Sequence, residues 1–141
     1  MSKSSQSLFH LGCGVAVSAL IAAAILAAAP DTALAYAEAM ARAERYEKDS
    51  QAQMYRLNRL YPPLAKAMPP IFEACAPGAN TAGRPDFTVV LSFKAGAFEA
   101  IRHTSDHPIA QCVAGKMGTL KYAPPPFPDF AEEIHLKMSG E

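Results

Sequence analysis

An uncharged apolar run near the amino terminus constrains this chain more than any other feature. Lys3 is the sole early strong charge, residues 11–29 carry none, and residues 15–29 are almost wholly Ala, Val, Leu and Ile. Pro30 and Asp31 close the run, and Ala33-Leu34-Ala35 follows it. Charge, apolar core and a small-x-small tripeptide, in that order, predict a secretory signal peptide over residues 1–35, cleaved after Ala35. The alternative is an uncleaved inner-membrane anchor over residues 11–29, since a span needs roughly 20 apolar residues. Cys13 precedes the apolar core, which argues against a lipoprotein. Export places the rest of the chain in the periplasm.

Cleavage leaves about 106 residues from Tyr36 onward, the size of one domain. The chain balances 13 basic against 13 acidic residues. A neutral chain offers no electrostatic footing for nucleic acid or an anionic membrane. Two cysteines survive cleavage, Cys75 and Cys112, and in a small exported domain such a pair reads as a disulfide.

Residues 36–61 contain no Gly or Pro and favour helix. The stretch 44–51 is almost entirely polar, so the helix is expected to fray there, with Glu44 and Lys48 pairing and Ser50 and Gln53 capping a restart. Pro62-Pro63 is expected to end it. Residues 64–68 then form a short apolar piece, and a brief helix over 71–76 carries Cys75, opened by Pro70. Pro77-Gly78, Asn80 and Gly83 mark a loop. Phe87–Lys94 alternates cleanly: Phe87, Val89, Leu91 and Phe93 share one face, Thr88, Ser92 and Lys94 the other. Ala95-Gly96 is a turn, and residues 98–105 are the returning strand. Asp106 is placed to cap a helix whose apolar face holds Ile109, Cys112, Val113, Met117 and Leu120. Prolines 124–126 follow, then a strand over 131–138.

The reading is α+β: one or more N-terminal helices (36–70), then a three-stranded antiparallel sheet built as hairpin, helix and strand (71–141), with a helix on one face. In its carboxyl-terminal half the chain resembles the TonB carboxyl-terminal domain family, in the variant with a cysteine pair. The resemblance spans residues 71–138. It rests on Cys75 in a helix, the hairpin around Ala95-Gly96, Gln111-Cys112-Val113 in the next helix, Leu120-Lys121-Tyr122-Ala123-Pro124-Pro125-Pro126, and a terminal strand over 133–138. It implies a periplasmic binding module without catalytic residues, and two cysteine-bearing helices packed side by side. Two departures stand out. Force-transducing members keep their membrane anchor, and they carry a long Pro-rich spacer where this chain has a predicted helix.

Candidate chemistry is sparse. His103, His107 and Cys112 have the spacing of a metal site, but they fall on separate elements and Cys112 is assigned to a disulfide. Thr104-Ser105-Asp106-His107 has the residue types of a nucleophile and base, yet sequence neighbours at a strand end rarely face one another, and helix capping suits Ser105 and Asp106 better. No enzyme activity, metal, cofactor or small-molecule substrate is expected. The expected partners are an envelope protein or peptide, or a second copy of the chain, bound at Phe127, Phe130, His135 and Lys137. A small secreted inhibitor or immunity-type protein, inserting the loop 76–86 into an envelope enzyme, is the alternative. A metal-handling periplasmic protein is a third.

Overall fold

A computed structural model describes residues 29–78 and 82–139. The apolar run over 11–28 lies outside the described residues, as does Asn80 of the expected loop. Helix α1 (Ala29–Tyr46) ends where the sequence turns polar. The restart is capped by Asp49, whose carboxylate accepts from the Ala52 amide at 2.9 Å, and not by Ser50 with Gln53. An oxygen acceptor at that position meets an amide that the first turn leaves without a partner. Glu44 and Lys48 form no ion pair, because the helix has stopped before Lys48.

From α2 (Ser50–Tyr55) the chain passes through a π-helical turn, Arg56–Leu60, into α3 (Tyr61–Cys75). Pro62-Pro63 therefore does not end the helix, and 64–68 and 71–76 are not separate pieces. Both prolines sit in the first turn of α3, where a missing amide is tolerated. A π-helical turn, with its wider i→i+5 bonding, stands immediately before them. Pro69 and Pro70 lie inside α3, between the buried anchors Leu64 and Ile71, so tertiary packing outweighs their cost.

Strand β1 (Phe87–Lys94) has the expected bounds. Ala95 and Gly96 both have positive φ, 52° and 75°, which matches the two-residue turn favoured by the twist of a hairpin. Strand β2 (Ala97–His103) returns, two residues shorter than expected at its far end. Ser92 pairs with Ala100 but Phe93 with Phe98, so Glu99 is the extra residue of a bulge. Helix α4 (Pro108–Met117) is capped by His107, whose Nδ1 accepts from the Ile109 amide at 3.2 Å, and not by Asp106. Leu120 lies past its end. Strand β3 (Ala131–Leu136) completes an antiparallel sheet of order β2-β1-β3.

The sheet is buried on both faces. On one, Val89, Leu91, Phe93, Phe130 and Leu136 meet Tyr55, Leu60, Leu64, Ile71, Val113 and Met117 from the later helices. On the other, Val90 and Ala131 lie under Ala39 and Ala43 of α1. A single covering helix was the expectation. The second arises because Ala39 and Ala43, four residues apart, let α1 approach closely, and Ser92 is consequently fully buried. Cys75 and Cys112 are joined by a disulfide with Cα atoms 5.7 Å apart, tying the end of α3 to the middle of α4.

Candidate interaction site

Strand β1 occupies the centre of the sheet, so β3 is an edge. The Phe93 amide donates to the Phe130 carbonyl at 2.9 Å, and the register pairs Leu91 with Glu132, Val89 with Ile134 and Phe87 with Leu136. Antiparallel ladders alternate, so the backbone groups of Glu132, Ile134 and Leu136 turn towards β1. Those of Ala131, Glu133 and His135 turn the other way; Ala131 is fully buried there, and Glu133 and His135 are the ones that reach solvent. Asp86 fixes the strand's far end: its Oδ1 accepts from the amides of Met138 at 2.8 Å and Ser139 at 3.0 Å, and Ser139 Oγ donates to Oδ2 at 2.7 Å. The Ser139 hydroxyl, followed by these amides, holds the Asp86 carboxyl below its usual range.

His135 is well exposed. Its Nδ1 lies 2.8 Å from Thr88 Oγ1, and its Nε2 is 3.2 Å from Glu133 Oε1. These three have the residue types of a nucleophile, base and orienting acid, but the His135 ring is largely exposed, and catalysis would also require donors aimed at a developing oxyanion. Alongside the edge runs a groove of about 550 Å³, between α1 on one side and α2, the π turn and α3 on the other. Glu44 of α1 and Glu47 just past its end line it, with Arg56, Tyr61, Glu132 and Glu133.

Glu132 is only 4% exposed. Its Oε2 pairs with Arg56 Nε at 2.5 Å, and its Oε1 accepts from the Tyr61 hydroxyl at 2.5 Å. Arg56 also donates to the carbonyls of Tyr46 at 3.1 Å and Glu47 at 3.4 Å, and lies over the Phe130 ring, 5.7 Å from its centroid. One guanidinium thus closes the gap between α1 and α2 and carries a buried carboxylate. Burial, and next the bond to Glu132, push the Tyr61 hydroxyl well above the normal phenol range.

The residues expected to bind a partner divide. His135 and Lys137 are exposed beside the edge. Phe130 is not available to a partner: it is fully buried, with ring centroids of Tyr55, Tyr46 and Phe93 at 5.3, 5.7 and 5.8 Å. Phe127 is half-buried and stacks on Tyr46 at 4.5 Å. His103 lies in β2, His107 caps α4 and Cys112 is oxidised, so these three do not converge. Ser105 Oγ accepts from the His107 amide at 3.3 Å, a local cap. Among the described residues no group of three or more His, Cys, Asp or Glu could hold a metal ion, and no helix is long and apolar enough to cross a membrane.

Sequence reasoning missed Arg56, Tyr61 and Glu132. One signal was present: Glu132 shares the parity of Phe130, Ile134 and Leu136, so a carboxylate had to face the core and find a cation there. The partner, Arg56, lies 76 positions away. Comparison with protein-family models, with curated proteins and with solved structures returned no match.

Proposed function

We propose that this chain is a non-catalytic protein-interaction module of the cell envelope, of TonB-C-like fold, that captures an extended partner segment by strand addition along β3. The observation that carries the reading is the short row of outward-turned backbone donors and acceptors at Glu133 and His135, the part of this edge strand that solvent reaches. Such a row is a template for an incoming strand, and main-chain bonds supply the affinity. Order of elements supports the fold part of the reading: hairpin, cysteine-bearing helix, aromatic and proline segment, closing strand. Export by the amino-terminal signal would bring the module to the periplasm.

The test is capture of a partner from envelope extract, repeated with His135→Pro. The outward amide at 135 is lost while the ladder to β1 keeps its bonds, the one setting in which a strand tolerates proline. Capture should fall at least tenfold with the melting temperature nearly unchanged. Undiminished capture by the folded variant would reject the edge and favour the inhibitor reading through the loop 76–86, where the Arg84 guanidinium donates to the carbonyls of Ala76 and Gly78.

A further inference from the structure

We infer that the groove beside β3 selects a basic segment: an extended peptide with Lys or Arg at alternate positions. The inference rests on the strand-addition reading and names the chemistry of the partner. Four carboxylates, Glu44, Glu47, Glu132 and Glu133, line the groove against the single guanidinium of Arg56. Arg56 is spent on Glu132, whose other oxygen is taken by Tyr61. Glu133 has the His135 ring as its neighbour at 3.2 Å. Glu44 and Glu47 are exposed and have no ion-pair partner among the described residues. The chain as a whole is neutral, so this bias is local.

Position decides how the charge is used. Glu133 and His135 share the parity of Ala131, which packs under α1, so their side chains lie on the α1 side of the sheet. Glu44 belongs to α1, Glu47 stands just past its end, and both line the same groove. A strand added to β3 would present every second side chain to that side, where opposite charges on neighbouring strands attract and like charges repel. Cations at those positions meet three carboxylates. Acidic side chains there would meet the same three and be repelled.

The probes are three blocked nine-residue peptides of alternating threonine and valine, with Lys, Gln or Glu replacing the three central valines. Each is titrated into the purified full-length protein while the backbone amides of Glu133 and His135 are followed by NMR. The lysine peptide should bind about tenfold more tightly than the glutamine peptide, with the glutamate peptide weakest. The preference should collapse at about 0.5 M salt, where screening is short-ranged. It should also collapse in the Glu44→Gln, Glu47→Gln double variant, while the glutamine peptide binds both proteins equally. Equal affinity for all three peptides would overturn the charge selection and leave strand addition standing. Failure of every peptide to shift the two amides would overturn both. A lysine preference that survives in the double variant would remove α1 from the site.

Discussion

The Arg56 guanidinium meets the Glu132 carboxylate at 2.5 Å, with side chains only 11% and 5% exposed. Breaking a buried pair from one side strands a charge and costs about 3–5 kcal/mol, a large part of the 5–15 kcal/mol that holds a typical domain together. Glu132→Ala should therefore lower the urea midpoint severely. Arg56→Met combined with Glu132→Leu should lose less than Glu132→Ala alone, because no charge is then left unpaired. Additive losses in the double variant would show that the pair does not act as a unit.

Ala95 holds a left-handed backbone, φ 52°, in the hairpin turn. That conformation costs a residue with a Cβ about 1–2 kcal/mol, and Asn tolerates it best after Gly. Ala95→Asn should stabilise the domain by about 1 kcal/mol and Ala95→Val should destabilise it, read from chemical denaturation.

Acid and alkali should each weaken the fold. The Tyr46 hydroxyl, with Arg45 adding to it, holds the Asp129 carboxyl below the usual range, and Asp86 is lowered chiefly by Ser139. A depressed carboxyl contributes stability above its unfolded value of about 3.9, lost as pH falls through the lower folded value. All five tyrosines are shifted the other way. Burial, then Glu132, pushes Tyr55 up to about 12, and burial, then Tyr55, pushes Tyr122 up to about 12. A raised phenol contributes stability below about pH 10 that is lost as pH climbs towards the folded values. Tyrosinate absorbance should lag free tyrosine by more than one pH unit and then rise together with loss of the folded circular-dichroism signal.

Reduction of Cys75–Cys112 should cost roughly 4 kcal/mol on the chain-entropy account of a loop this long. Cys75→Ala with Cys112→Ala should reproduce the loss, measured by urea denaturation with and without dithiothreitol.

Processing can be read with the same thiols. Protein recovered from the envelope should have the mass of a chain starting at Tyr36 and no free thiol after denaturation. One free thiol, Cys13, with full-length mass would mean the leader is retained. Ala39 and Ala43, which cover the sheet, lie beyond the expected cleavage point.

Local features were legible in the sequence where a short stretch decided them. Strand β1 was readable because its alternation spans eight residues, and Cys75 with Cys112 because the expected cleavage would leave only that pair. Features set by distant parts of the chain were not. Pro62-Pro63 looks like a helix stop until the π turn before it is seen. Asp49 and His107, the true caps, each stand one residue from the position chosen. Ser92 reads as an outward residue because nothing nearby announces that α1 will cover it. The groove combines α1 with β3, and no local pattern joins Glu44 and Glu47 to Glu133.

The disulfide also divides the molecule topologically. Strands β1 and β2 lie between Cys75 and Cys112, whereas α1 and β3 lie outside them. The hairpin is thus part of a covalent ring, and its flanking elements are free ends docked against it. A protease that cuts once within the ring leaves one molecule whose two pieces separate only under reduction. A cut between α4 and β3 severs the edge strand outright, and with it the proposed binding surface. The two kinds of nick would be told apart by whether a reducing gel is needed to see them.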